Sequence, residues 1–390
     1  MFSVAFVSNY YTHHQSAFAS VVYRLTNGNF IFVETEDFED ERVKLGWKIE
    51  KPDYVKKINN FRETNADIIK FISECDVVII GSAPLNLLKQ RFKNNKLTFV
   101  YSERIYKKGF CFYKLPFHFC ILQKKYGIQK NLFLLAASAY ASYDYSRAGV
   151  FINKAFKWGY FPETKRYEET EEIISSKKKN SILWAGRFLD WKHPDAAIRA
   201  AKKLKENGYR FELNIIGTGA MEQELKKMIS DYNLENEVHM LGSMKPEQVR
   251  EYMEQSQIYL FTSDRNEGWG AVLNESMNSA CAVVASHEIG SVPFLLKDGK
   301  NGFIYKDGDE EDLYRKVKLL LDKPDLCRQY GCSAYSTIIN EWSAETAAER
   351  FIELAESILS GNKRPDLFND GPCSKAKILK DGWYSKQHEY

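Results

Sequence analysis

The sequence predicts an α/β chain of two doubly wound parallel sheets, one after the other along the chain. Three observations carry that prediction. Short β-rich apolar runs alternate with amphipathic helical stretches, the pattern of a mostly parallel sheet with helices on both faces. The series occurs twice, with a charged, apolar-poor stretch between. The 390 residues, 44% of them hydrophobic, suffice for two domains with full cores.

In the first half, strands are expected at 3–8 (SVAFVS), 30–34 (FIFVE), 76–81 (DVVIIG), 97–102 (LTFVYS) and 132–137 (LFLLAA), with helical patterns over 63–73, 84–93 and 138–148. In the second half, strands recur at 181–186 (SILWAG), 211–217 (FELNIIG), 238–242 (VHMLG), 258–263 (IYLFTS) and 282–286 (AVVAS). Helices are expected between them near 194–207, 220–232, 246–256 and 270–279. The stretch 161–180, FPETKRYEETEEIISSKKKN, ends in a Ser/Lys run and reads as a surface linker or an exposed helix. The domains predicted are therefore 1–160 and 181–343, with 344–390 as a helix and tail. After Leu321 the pattern is helical to about Ser360, and a polar tail with Gly361, Pro365, Gly371 and Pro372 follows. Trp383 and Tyr384 in that tail mark a docking segment rather than a frayed end.

Composition removes several classes. Aromatics make up 14% and charged residues 27%, and the formal net charge is only +3, far from the basic excess of a nucleic-acid binder. That total hides an asymmetry. Residues 1–160 hold 23 Lys and Arg against 14 Asp and Glu, whereas 161–390 hold 32 against 38. The seven cysteines are scattered, without CxxC spacing, as in a reducing compartment. The N-terminus MFSVAFVSNYY lacks a basic region and a long apolar stretch, so it reads as a first strand rather than a signal peptide. No stretch approaches the roughly 18 apolar residues of a membrane-spanning helix. A cytoplasmic protein is expected.

In doubly wound sheets ligands bind beyond the carboxyl ends of the strands, so the loops there carry the chemistry. After 181–186 comes Gly186-Arg187-Phe188-Leu189-Asp190-Trp191-Lys192-His193-Pro194, with Pro194 in a helix's first turn. Arg187 and Lys192 suit a diphosphate, Arg as a fork and Lys as a point charge; two solvated surface cations would look the same. Gly217-Thr218-Gly219 follows the next strand and permits close approach of backbone to a ligand. Leu241-Gly242-Ser243-Met244 forms either the floor under a base or a turn. In Ser263-Asp264-Arg265-Asn266-Glu267-Gly268-Trp269-Gly270, glycines bracket Trp269 just before a helix that carries Glu275. Their amides and the helix end face an anion such as a phosphate. Eight positions at helical rise separate the carboxylates of Glu267 and Glu275 by on the order of 10 Å, near the span from a sugar to a nucleotide ribose. Carboxylates accept from sugar hydroxyls, so one suits each end. Other Glu pairs with this spacing exist, among them Glu341/Glu349 and Glu345/Glu353; only Glu267/Glu275 sits among a strand, glycines and an apolar helix.

From IIGTGAMEQELKK through VHMLGSM and EGWGAVLNESMNSACAVVAS to GSVPFLLKDGKNGFIY the chain resembles glycosyltransferase family 4, specifically over about residues 181–340. These are retaining, nucleotide-sugar-dependent enzymes of the GT-B fold, two Rossmann-like domains facing a cleft, whose last helix commonly crosses back to the first domain. The resemblance implies that Arg187 and Lys192 hold the donor diphosphate, and that Glu267 with the amides of Gly268, Trp269 and Gly270 meets the donor sugar and its phosphate. It further implies that Glu275 holds the ribose, with Leu241 and Met244 near the base, and Gly217 completes the nucleotide-sugar-binding set. The first half departs from the family's glycine-rich first loop. Its Asn9-Tyr10-Tyr11-Thr12-His13-His14-Gln15 is similar to the start of some bacterial polysaccharide-assembly members. His14 then lies beside the reacting sugar, with His13, Glu103 and Arg104 as acceptor-side candidates; histidines capping the first helix and a surface ion pair are the alternatives.

A retaining transfer from a UDP- or GDP-type sugar to a glycan or lipid-pyrophosphate-linked acceptor, in bacterial surface polysaccharide synthesis, is the implied reaction. No cofactor and no metal are expected: Asp307-Gly308-Asp309 reads as a turn and a helix start rather than a metal-binding Asp-x-Asp. A nucleotide-sugar 2-epimerase and a nucleotide-sugar-binding pseudoenzyme remain open on this fold. The basic excess has a location as well. Residues 89–130 contain 11 Lys and Arg and one acidic residue, Glu103, interleaved with aromatics. That suits either peripheral contact with an anionic inner membrane leaflet or a core helix with a solvated basic face.

Overall fold

The structure, a computed structural model, describes residues 2–37, 50–58, 65–109, 113, 115–168, 170–363 and 365–384. The chain divides into two units: residues 1–163 with 342–380, and residues 164–341 with 381–390. The start of the expected helix at 63–64, Cys111, Lys114 and the tail beyond Tyr384 lie outside the described residues.

The first unit contains a parallel sheet of β1 (Val4–Ser8), β2 (Phe30–Glu34), β3 (Val55–Lys57), β4 (Val77–Ile80), β5 (Thr98–Ser102), β6 (Leu132–Ala136) and β7 (Ala155–Lys157). Their order is β3-β2-β1-β4-β5-β6-β7. Runs such as VAFVS, VVII and LFLLA are buried at every position, because helices cover both faces and no alternation of polar residues is needed. The second unit repeats the plan with β8 (Ser181–Ala185), β9 (Glu212–Ile216), β10 (Val238–Gly242), β11 (Ile258–Phe261), β12 (Ala282–Ser286) and β13 (Phe303–Tyr305), ordered β10-β9-β8-β11-β12-β13. Each order reverses direction once, between β1 and β4 and between β8 and β11, which is where a doubly wound sheet opens a crevice for ligand.

Three strands escape the sequence pattern: β3, β7 and β13, each three residues long and each at an edge. An edge strand pairs on one side only and needs no long apolar run.

The helical stretch expected from 321 to 360 is two helices, Pro324–Asn340 and Ala344–Leu359. Ser343 caps the second by accepting from the Thr346 amide, and the chain changes unit between Glu341 and Trp342. Ala344–Leu359 packs on the first unit's helix His13–Leu25, with Phe351 against Phe18, Phe99 and Trp158.

The 161–180 stretch is more than a surface linker. It holds the helix Thr170–Ser175, whose Ile173 is buried with Ala280 and Tyr335. Lys177 donates to the carbonyls of Met253, Glu254, Ser256 and Ser279, so a residue of the apparent Ser/Lys run closes two helix ends. Burial pulls its pKa down.

Two cations of the basic 89–130 stretch are not surface charges. Arg91 is 0% exposed and donates to Thr98 Oγ1 and to the carbonyls of Ile72, Cys75, Asp76 and Leu97. Arg104 is 3% exposed, pairs with Asp144 at 3.5 Å and stacks over Tyr140. Both tie the sheet of the first unit to its helices. Among the described residues no helix is long and apolar enough to cross a membrane.

Candidate active site

In the second unit β8 and β11 are adjacent, so the loops after them, Gly186–His193 and Thr262–Gly270, lie side by side at the reversal point. Thr262 joins them. Its hydroxyl accepts from Trp184 Nε1 at 2.8 Å and donates toward the carbonyls of Lys192 and His193, at 2.7 and 2.8 Å. The Asp264 amide donates to the Trp191 carbonyl, and the Gly290 amide to that of Glu267. His193 turns the first loop into the helix Pro194–Glu206 through a left-handed φ of 47°.

This scaffold brings Lys192 and Glu267 together at 2.6 Å, with side chains only 14% and 13% exposed. Ser263 Oγ donates to the same Glu267 oxygen at 3.1 Å, and Lys192 Nζ sits 4.7 Å above the Trp191 ring. The carboxylate is thus fixed by two donors through Oε2. Glu275, on the helix Val272–Asn278, is a different kind of carboxyl. No described residue donates to it, and burial pushes its pKa up to about 7 although Arg250 opposes the shift. Arg250 is itself held by Asn278 and Glu254. A half-buried carboxyl that ionises reluctantly gains from any hydroxyl that donates to it.

His193 adds a charged rim, 3.7 Å from Asp264 and 3.9 Å from Asp195. The Asp264 carboxylate beside it raises its pKa. Asp309 caps the helix Glu310–Asp322, which settles the Asp307-Gly308-Asp309 stretch as turn and helix start.

The other predicted residues fare unequally. Arg187 is exposed at the start of its loop, without an ion pair among the described residues. A Cβ on Gly217 would stand 1.8 Å from the Gly186 carbonyl oxygen, so its lack of a side chain serves the packing of one loop on the other. Its amide donates to the Gly242 carbonyl, which brings the part-exposed Leu241 and Met244 next to the same loops. Trp269 is expected to act through its amide; its ring is 0% exposed, donates to Asn274 and packs near Phe294, which leaves the backbone of Gly268, Trp269 and Gly270 for a ligand. Gly270, at φ +83°, leaves room for the Phe261 ring, 2.3 Å from where a Cβ would be.

In the first unit, His13 and His14 open the helix that follows β1, with ring centroids 3.9 Å apart. His14 stacks on Tyr160 at 5.0 Å, and the Tyr160 hydroxyl donates to Glu103 at 2.6 Å. Glu103 also pairs with Lys107. Two residues 89 positions apart in the sequence are thus joined by Tyr160, which no motif announces. Arg104 leaves the acceptor-side set: its guanidinium is buried against Asp144, neither lining a surface nor forming a solvated pair.

The tail docks, and on the second unit. Arg265, in the loop that carries Glu267, pairs with Asp381 at 3.3 Å. Tyr384 is 6% exposed, donates to the Ile304 carbonyl, accepts from Lys316 and packs on His287.

Comparison with known proteins accords with this geometry. Residues 166–337 match the family model of glycosyl transferases group 1. The amylovoran biosynthesis glycosyltransferase AmsK of Erwinia amylovora is 33% identical over 137 residues, 34% of this chain and 33% of that protein. An N-acetylgalactosamine-N,N'-diacetylbacillosaminyl-diphospho-undecaprenol 4-alpha-N-acetylgalactosaminyltransferase of Campylobacter jejuni is 30% identical over 153 residues, 39% of this chain and 40% of that one. The matched stretches span at most about half of such relatives' length. Among solved structures, Anabaena Alr3699/HepE in complex with UDP superposes with a TM-score of 0.69 at 15% identity, over 91% of this chain and 100% of that one. TarM gives 0.66 at 12% identity, over 92% and 99%. At such identities the likeness concerns the fold.

Proposed function

Residues 166–337 belong to the glycosyl transferases group 1 and the chain has the GT-B fold; on that premise we propose that it moves a sugar, with retention, from a nucleotide-diphosphate sugar to a glycan or lipid-linked acceptor in polysaccharide synthesis. The observation that carries the reading is the Lys192–Glu267 pair at the β8/β11 reversal point, with the half-buried Glu275 on the next helix. Lys192 and Arg187 take the diphosphate, Glu267 the donor sugar and Glu275 the ribose hydroxyls. A UDP sugar is the favoured donor, since HepE of the same fold carries UDP. A diphospho-undecaprenol-linked acceptor in one relative and amylovoran synthesis in another support the acceptor class.

In the proposed step the bond between the anomeric carbon and the phosphate oxygen breaks, and the acceptor oxygen bonds to that carbon on the same face. The acceptor's hydroxyl proton passes to the departing phosphate, so glycoside and nucleoside diphosphate leave. Charge builds on the diphosphate as it departs. Lys192 and Arg187 counter it with fixed positive charge, the part a divalent ion plays elsewhere. Metal-independent transfer follows. His14, held by Tyr160, and Glu103 are proposed to face the acceptor side.

The test is a panel of UDP-, GDP- and ADP-sugars with glycan and lipid-linked acceptors, read as nucleotide release and glycoside formation with and without EDTA. Acceptor-dependent release that survives EDTA supports the reading. Epimer formation without acceptor, or strict need for Mg²⁺ or Mn²⁺, overturns it.

A further inference from the structure

The first unit carries a helix that breaks the usual rule for surface helices. Leu115–Leu122 reads LPFHFCIL, and a π-helical turn, Gln123–Gly127, continues it. A surface helix normally buries one apolar stripe and shows water a polar face. Here the apolar residues themselves face out: Phe117 is 67% exposed, Phe119 and Ile121 44% each, and Ile128 72%. Pro116 and Cys120 are exposed too. Five of the six residues from Pro116 to Ile121 therefore stand in solvent.

The helix is nevertheless anchored. Leu122 packs on the core of the first unit, and Gln123 Nε2 donates to the Ala148 carbonyl at 2.8 Å. Tyr126 is buried against Tyr145 and Phe151, and His118 stacks flat on Tyr106, 5.6 Å away. Fixed at one end and apolar outside, it is a built protrusion. At eight residues it is too short to span a bilayer.

Charge lies beside it. Lys124 and Lys125 are exposed on the π turn. A surface recess of about 570 Å³ is lined by Lys89, Phe92, Lys93, Asn95, Ile128 and Lys130, with Gln129. Ile128, exposed just past the π turn that continues the helix, thus lines a recess with three lysines. Once Arg91 and Arg104 are set aside as buried, the positive surface of this stretch consists of lysines, whose mobile ammonium groups suit loosely held phosphates. Exposed apolar residues with lysines on the adjoining turn and recess match the acyl boundary and the headgroups of an anionic bilayer together.

We propose that Phe117, Phe119, Ile121 and Ile128, with the recess of Lys89, Lys93 and Lys130, dock the first unit on a membrane rich in anionic phospholipid. The surface gives the lipid-linked acceptor of the proposed reaction a physical setting, but its test involves no sugar transfer. The full chain is floated with vesicles of phosphatidylglycerol and phosphatidylcholine, and with pure phosphatidylcholine, at low and high salt. Binding is expected only to the anionic vesicles and is lost at high salt. Each of Lys89→Ala, Lys93→Ala and Lys130→Ala weakens it by about fivefold, the equivalent of about 1 kcal/mol per lysine near an anionic surface. Phe117→Ser with Ile121→Ser abolishes it, and the change of exposed residues leaves melting temperature and nucleotide binding as they were. Absence of vesicle binding at low salt, or binding indifferent to both sets of variants, overturns the proposal. A dimer that Phe117→Ser dissolves, without vesicle binding, overturns it too and assigns the surface to a second copy of the chain. If donor turnover fails while vesicles bind, the reaction falls and the surface stands.

Discussion

Glu275→Gln is the most informative single change in the proposed donor site. Burial lifts the Glu275 carboxyl from an ordinary 4.5 to about 7, so the folded chain holds a proton that the unfolded chain has released between those values. Its contribution is therefore present below about pH 4.5 and lost as pH rises to about 7, since the folded state binds more protons there. The full shift corresponds to about 3 kcal/mol, and because the side chain keeps part of its surface in water, about 1–2 kcal/mol is expected after solvent screening. Glutamine has the shape of the neutral acid and does not ionise. At pH 8 the variant is predicted to be the more stable protein by that amount, and near pH 5 to equal the parent. Nucleotide binding moves the other way. Ribose hydroxyls donate to the ionised carboxylate, so UDP affinity in the parent rises about tenfold from pH 6 to 8 and levels off, while in Glu275→Gln it is low and flat. Thermal melts across pH with calorimetric UDP titrations give both quantities. Parallel stability curves for the two proteins would refute the reasoning about burial; a parent affinity that ignores pH would refute the ribose contact.

Other predictions address the frame around the site. Arg91→Met removes a donor that four carbonyls of the first unit share, leaving those of Cys75 and Asp76 without it, and chemical denaturation should show a loss of about 2–4 kcal/mol. Gly217→Ala sets a methyl against the Gly186 carbonyl at a φ of +145°, and should lose about 2 kcal/mol or more together with nucleotide affinity, read by melting and titration. Tyr384→Phe removes the hydroxyl that holds the tail to Ile304 and Lys316, and should lower stability by about 1 kcal/mol in a melt.

How much was legible in the sequence follows from where burial leaves a trace. β1, β4, β6 and β8 are buried throughout, and their apolar runs are unmistakable. β3, β7 and β13 are three-residue edges with nothing to mark them. The loops after β8 and β11 could be singled out because loops at strand carboxyl ends carry ligands in this fold class. The partners within them could not. Thr262 and Ser263 act through hydroxyls whose value depends on which strands are neighbours, and Tyr160 joins His14 to Glu103 only through the path of the chain. Gly217 was legible as unusual but not as structural, since a glycine under a carbonyl looks the same in one dimension as a ligand contact. The charge count misled in the same manner, because Arg91 and Arg104 are core residues.

The Lys192–Glu267 pair is the group proposed to handle the donor. Nucleotide release from the best sugar donor, measured for the parent, Lys192→Ala and Glu267→Ala alongside their melting temperatures, tests it most directly. Removing fixed charge or a positioned carboxylate from such a site typically costs about 10²–10³ in turnover. Both variants are predicted to remain folded and to lose at least that much, whereas near-parental turnover in both would contradict the account.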